Sequence, residues 1–120
     1  MKIKLLASLS IAIILTVIVF SLPCRAQATP QRIEITAQRF NFTPSEITLK
    51  KGVPVVLVLT SKDVDHGLKF KELNVNIKAK KKSSSEVTFT PTKVGTFVGQ
   101  CSVFCGSGHG EMKMTLHVTE

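Results

Sequence analysis

The chain has no tryptophan and no tyrosine, and lysine and arginine outnumber the acids by 16 to 8. Without those two aromatics, bases have little to stack on. The seven phenylalanines are not interleaved with the basic run at 78–82, so the formal net charge of +8 does not point to nucleic acid. Beyond residue 30 there is no helical periodicity, no internal repeat and no low-complexity tract, which argues against bundles, solenoids and disordered tails. Cysteine is scarce as well. There are three in the chain, and Cys24 falls in the apolar N-terminal region, which leaves Cys101 and Cys105. For a lone pair in an oxidising compartment the simplest expectation is a disulfide.

What is present begins with one long uncharged run. Met1-Lys2-Ile3-Lys4 leads into Leu5 to Leu22, followed by Pro23-Cys24-Arg25-Ala26-Gln27-Ala28. A basic start, an apolar stretch and a small-x-small site form a secretory signal, with cleavage expected after Ala28. The run also approaches the ~18 residues of a spanning helix, so an uncleaved N-terminal membrane anchor is the rival reading. Ser21-Leu22-Pro23 is a poor lipobox for Cys24. Either reading puts residues 29–120 outside the cytoplasm as one domain, in the periplasm or on the outer face of the cytoplasmic membrane. Lys2, Lys4 and Arg25 account for three of the positive charges in the leader, which has no acid, so the remainder keeps +5 of the +8. A domain this small gains usefully from a bound metal or a crosslink.

Residues 29–120 read as short β-branched runs punctuated by Gly, Pro, Asn and Asp. Arg32 to Ala37 alternates polar and apolar, and Glu46 to Leu49 is a second short strand. Val53 to Thr60 is apolar on both parities, as a central strand covered on both faces would be. Asp63 to Gly67 reads as a loop, Phe70 to Ile77 as an irregular strand broken near Asn74 and Asn76, and Lys78 to Ser85 as a basic loop. Glu86 to Phe89 and Gly95 to Cys101 follow. The last strand, Met112 to Val118, places Met112, Met114, Leu116 and Val118 on one face. About seven strands in about ninety residues predict an all-β, Greek-key β-sandwich, preceded by the apolar signal or anchor helix.

The most informative stretch is Cys101-Ser-Val-Phe-Cys105-Gly-Ser-Gly-His109-Gly-Glu-Met112. Two thiols, an imidazole and a thioether fall within twelve residues at a strand–loop–strand junction. Soft sulfur with imidazole is what copper prefers when it cycles between its lower oxidation states. Hard cations take carboxylates, and structural zinc takes a closed set of four Cys or His ligands. Glycines 106, 108 and 110 let the loop fold back on itself. A further strong ligand has to come from elsewhere in the chain. His66, 35 residues before Cys101, is the candidate, because loops at one end of a sandwich cluster in space.

The run C-S-x-x-C-G-x-G-H-G-x-M, the upstream D-V-x-H at Asp63 to His66 and the F-x-F-x-P-x-x-I opening at Phe40 to Ile47 resemble the CuA domain of cytochrome c oxidase subunit II and its relatives. The resemblance implies a cupredoxin fold that binds two copper ions. Cys101 and Cys105 would be the bridging thiolates, His66 and His109 the terminal imidazoles, and Met112 the weak thioether. Val103 stands where the family supplies a backbone carbonyl and often carries glutamate. The two-helix anchor of subunit II and an aromatic electron-entry tryptophan are missing from this sequence.

The function this implies is electron transfer, not catalysis. Electrons would pass between a cytochrome-like donor and an oxidase-like acceptor, with the domain at most the electron-entry part of a terminal oxidase or nitrous-oxide reductase. A copper chaperone or store using the same soft ligands is the alternative. Met114 is expected in the core and His117 on the polar face of the last strand, outside the ligand set. The Lys78–Lys82 segment is expected to be a solvated loop, with steering of an acidic redox partner or attraction to an anionic membrane surface as its sharper reading.

Overall fold

The computed structural model describes residues 23, 24 and 26–120. Most of the expected leader or anchor, 1–28, lies outside the described residues, and among those that are described no helix is long and apolar enough to cross a membrane.

Nine strands are present among the described residues. They are β1 Gln31–Gln38, β2 Asn41–Thr43, β3 Glu46–Lys50, β4 Val55–Ser61, β5 His66–Phe70, β6 Val75–Ala79, β7 Ser84–Phe89, β8 Gly95–Gln100 and β9 Lys113–Thr119. One sheet runs β2-β1-β4-β7 and the other β3-β9-β8-β5-β6. Both sheets are mixed, because β1 lies parallel to β4 and β3 parallel to β9, while the remaining pairs are antiparallel. The all-β sandwich is as expected, but it has nine strands where the sequence suggested about seven.

Strand parity builds the core. Val55, Leu57, Val58 and Leu59 of β4 are all buried, so this strand is covered on both faces, as its unbroken apolar run predicts. Each such side chain contributes about 1.5–3 kcal/mol by leaving water. In β9 the buried positions are Met114, Leu116 and Val118, and the intervening residues face outward. Gly99 of β8 lies against the core side chains beneath it. A Cβ there would stand 2.6 Å from the Phe70 ring and 2.8 Å from Leu68, which is too close for any larger residue.

Three local expectations need correcting. His66 and Gly67 do not belong to a loop but open β5, paired with Ala79 and Lys78. The irregularity after Phe70 is one turn of 3-10 helix, Lys71–Leu73, ended by Asn74 at φ 53°, and β6 then runs unbroken through Asn76. The basic loop shrinks to the turn at 80–83, because β6 extends to Ala79 and β7 begins at Ser84. That turn is closed by the Ser83 N–H donating to Lys80 O at 3.0 Å.

Candidate metal centre

Parity carries the site residues inward. His66 shares a face of β5 with Leu68 and Phe70, so its ring enters the end of the core and is completely buried. Met112, directly before β9, shares the inward parity of Met114 and is buried too. Cys101 directly follows β8, and its N–H donates to Met112 O at 3.0 Å, so the two ends of the ligand loop are tied together. Between them the loop turns back through Gly106 at φ +136° and a 3-10 turn at His109–Glu111. The Met112 N–H closes that turn on His109 O at 3.3 Å.

Six sequence-predicted positions meet here. Cys101 Sγ lies 3.7 Å from Cys105 Sγ, 3.9 Å from His66 Nδ1 and 3.1 Å from the Val103 carbonyl oxygen. Cys105 Sγ lies 3.6 Å from His109 Nδ1 and 3.8 Å from Met112 Sδ. The donor atoms of His66, Cys101 and Cys105 all fall within 4.8 Å of one another. Both cysteines are thiols, so the pair is not joined as a disulfide in this structure. His117 stays apart as expected. It sits on the outer face of β9, where its Nδ1 meets Thr96 Oγ1 at 3.0 Å and its Nε2 contacts Glu46.

Residues outside the sequence-predicted set hold these donors in place. Asp63 Oδ1 contacts His66 Nε2 at 2.6 Å and also accepts the Val64 N–H, while its Oδ2 accepts the Arg39 N–H at 2.9 Å. Desolvation raises the Asp63 pKa, but the hydrogen bonds from Arg39, His66 and Val64 outweigh it and lower the value from 3.8 to about 2. An ionised carboxylate can only accept, so His66 donates to it from Nε2, and Nδ1 is the ring nitrogen that faces the Cys101 sulfur. Arg39 also donates from Nε to Cys105 O at 2.8 Å, tying the end of β1 to the ligand loop. Phe40 packs beside the same loop. A Cβ on Gly108 would fall 2.5 Å from its ring, so glycine is required there by close approach. Asp63 and Phe40 lie within the motifs that carry the family resemblance, but only the folded chain gives their contacts, and Arg39 has no signal beyond its position before Phe40.

Burial, then the hydrogen bond and charge of Cys101, push the Cys105 thiol up from 9.0 to about 11. An apolar, sulfur-lined pocket disfavours a bare thiolate, and a thiophilic cation reverses that by displacing the proton. Two sulfurs, a thioether, two imidazole nitrogens and a carbonyl suit a soft or borderline ion. No carboxylate is among the converging donors, which disfavours a hard one.

A two-sheet β-sandwich with a sulfur and imidazole cluster at one end defines a class. The profile of the cupredoxin-like domain matches residues 11–116, and the chain belongs to that family. Over 90 residues it is 36% identical to the nitrous-oxide reductase of Cupriavidus necator, covering 72% of this chain and 14% of that protein. Over 88 residues it is 31% identical to cytochrome c oxidase subunit 2 of Thermus thermophilus, covering 73% of this chain and 65% of that one. The chain thus spans less than two thirds of either relative. Among solved structures, the periplasmic domain of subunit II of cytochrome oxidase from Bradyrhizobium japonicum shares the fold, with a TM-score of 0.68 at 22% identity over 75% of this chain and 84% of that one. A chain of a heme-copper terminal oxidase dimer superposes with a TM-score of 0.67 at 28% identity, over 82% of this chain and 69% of that one.

Proposed function

We propose that this chain is an exported electron carrier that binds two copper ions at the end of its sandwich. Cys101 and Cys105 would hold both ions, with His66, His109, Met112 and the Val103 carbonyl completing the set. The observation that carries the reading is the convergence of two thiols, two imidazoles and a thioether at one end of the core, all of them buried except the half-buried His109. Bound copper would supply a one-electron couple.

The protein's own part is to hold its donors still. His66 is fixed by its strand and by Asp63, Cys101 by its backbone bond to Met112, and Cys105 by Arg39. Donors held in this way keep their positions when the charge of the site changes, which favours rapid electron exchange. Burial of both thiols limits invasion by competing thiols, which a copper chaperone requires.

The assigned boundaries are a signal or anchor at 1–28 and the cupredoxin domain at 29–120, with the domain in the periplasm or on the outer face of the cytoplasmic membrane. β1 opens at Gln31 and the site lies beyond its far end, at Arg39, so a retained anchor would join the pole opposite the copper. Partners would be a cytochrome-like donor and an oxidase- or reductase-like acceptor, as the names of the relatives suggest.

The test is copper retention. The loaded protein should hold its copper for hours against a competing chelator while small redox agents cycle it quickly and reversibly. Rapid copper loss to the chelator with slow redox cycling would instead assign it to copper delivery.

A further inference from the structure

Two hollows in the surface reach the ligand residues, and lysines line both. The first, about 380 Å³, is lined by Lys69, Lys71, Glu72, Gln100 and Ser102, and reaches Cys101. The second, about 270 Å³, is lined by Asp65, Lys78 and Lys80, and reaches His66 and Val103. Register explains this placement. Lys69 lies opposite Gln100, which lies opposite Lys113, so two lysines flank the last residue of β8 on the outer face of the five-stranded sheet. Lys78 lies opposite Gly67. Gly67 in turn is so close to Ser102 and Val103 that a Cβ would stand 2.1 Å from Ser102 Oγ.

The acids near this face, Asp65, Glu72 and the exposed Glu111 of the ligand loop, are fewer than its lysines, Lys69, Lys71, Lys78, Lys80 and Lys113. Asp65 is matched by Lys80 Nζ at 3.3 Å and the Lys81 N–H at 2.8 Å, and Glu72 is the one carboxylate lining the first hollow. Glu34 and Glu86 pair with Arg32 on the other sheet, and Glu120 pairs with Lys51. Beside the basic surface, Phe104 of the ligand loop is 78% exposed, with its ring centroid 5.6 Å from that of His109. An exposed aromatic with charge around it has the make-up of a docking patch with an apolar centre and a steering rim.

We propose that this lysine-lined face, centred on Phe104 and the two hollows, docks a redox protein that surrounds its own redox group with carboxylates. The proposal rests on the electron-carrier reading and adds the charge of the partner. Steering by such a field raises encounter rates and fades as salt screens it. Electrons would cross beside Cys101, His66 and His109 without any bond being made.

The experiment measures oxidation of the reduced, copper-loaded protein by hexacyanoferrate(III), which takes up one electron to become hexacyanoferrate(II). Tris(phenanthroline)cobalt(III) serves as the cationic counterpart and acidic plastocyanin as the protein probe. The double variant Lys69→Glu/Lys78→Glu is compared with Lys51→Glu/Lys93→Glu, which changes net charge equally at the far pole. The site pair should slow both anionic acceptors about tenfold at low salt, flatten their salt dependence and speed the cationic one, while the far pair changes each less than about twofold. Phe104→Ala should slow plastocyanin and leave hexacyanoferrate(III) alone. Equal effects of the two pairs, in a protein that still binds copper and cycles, would overturn the docking face and leave the carrier reading standing. Unchanged plastocyanin rates in the site pair, with loss of binding to phosphatidylglycerol vesicles, would assign the lysines to a membrane surface and overturn it too. A protein that takes up no copper would overturn both.

Discussion

Asp63 joins the ligand histidine to the turn after β1, since its carboxylate contacts His66 and accepts from the backbone of Arg39 as well as from its own neighbour Val64. Asp63→Ala should lower the stability of the copper-free protein by about 1–3 kcal/mol, because it leaves the buried His66 ring without its partner. The pH dependence follows from a folded value of about 2, below the ordinary 3.8. A depressed carboxyl contributes stability that is complete above 3.8 and is lost as pH falls through 2, so the gap between wild type and variant in urea melts should narrow across that window. Among the histidines, His66→Ala should abolish the copper-dependent visible spectrum and His117→Ala should leave it unchanged, since His117 faces Glu46 and Thr96 on the outer surface. An intact spectrum in His66→Ala would remove that residue from the ligand set. At this scale much was legible, because Cys101 to Met112 are neighbours in sequence and their chemistry shows in their types. Asp63 and Arg39 were harder to read, because each acts through a contact 24 to 66 residues away or through a hydrogen bond that only the folded loop defines.

At the scale of elements, the ligand loop is fixed by its fit against the turn after β1. Gly108→Ala would drive a methyl into the Phe40 ring, 2.5 Å away, and should cost about 1–3 kcal/mol with a matching loss of copper affinity. Adding Phe40→Leu should recover part of that loss, and a double-mutant cycle on the unfolding free energies would read the coupling. Strictly additive effects would mean that Phe40 does not restrain the loop. Alternation made β9 legible, and the unbroken apolar run did the same for β4. β5 is not legible as a strand, since Asp63 to Gly67 reads as a loop and Phe70 to Ile77 as one irregular strand, and His66 and Gly67 are poor strand formers in isolation. Pairing with Lys78 and Ala79 extends the strand that far, and no local propensity records such pairing.

For the molecule as a whole, composition and punctuation revealed a sandwich but not its mixed sheets. The parallel pairing of β1 with β4 and of β3 with β9 joins segments far apart in sequence, and their register is set by shared core faces. The site lies at the end of that core, so copper bound there would link the start of β5 to the loop between β8 and β9. Removing it should lower the melting temperature by about 4–8 °C for each kcal/mol of binding energy lost, as a thermal scan with and without chelator would record. The most direct test of the central claim is the paramagnetic resonance spectrum of the copper-loaded protein, taken with its copper content. Two coppers per chain, with one unpaired electron coupled equally to both nuclei, is the predicted result. One copper per chain, with hyperfine coupling to a single nucleus, would contradict it.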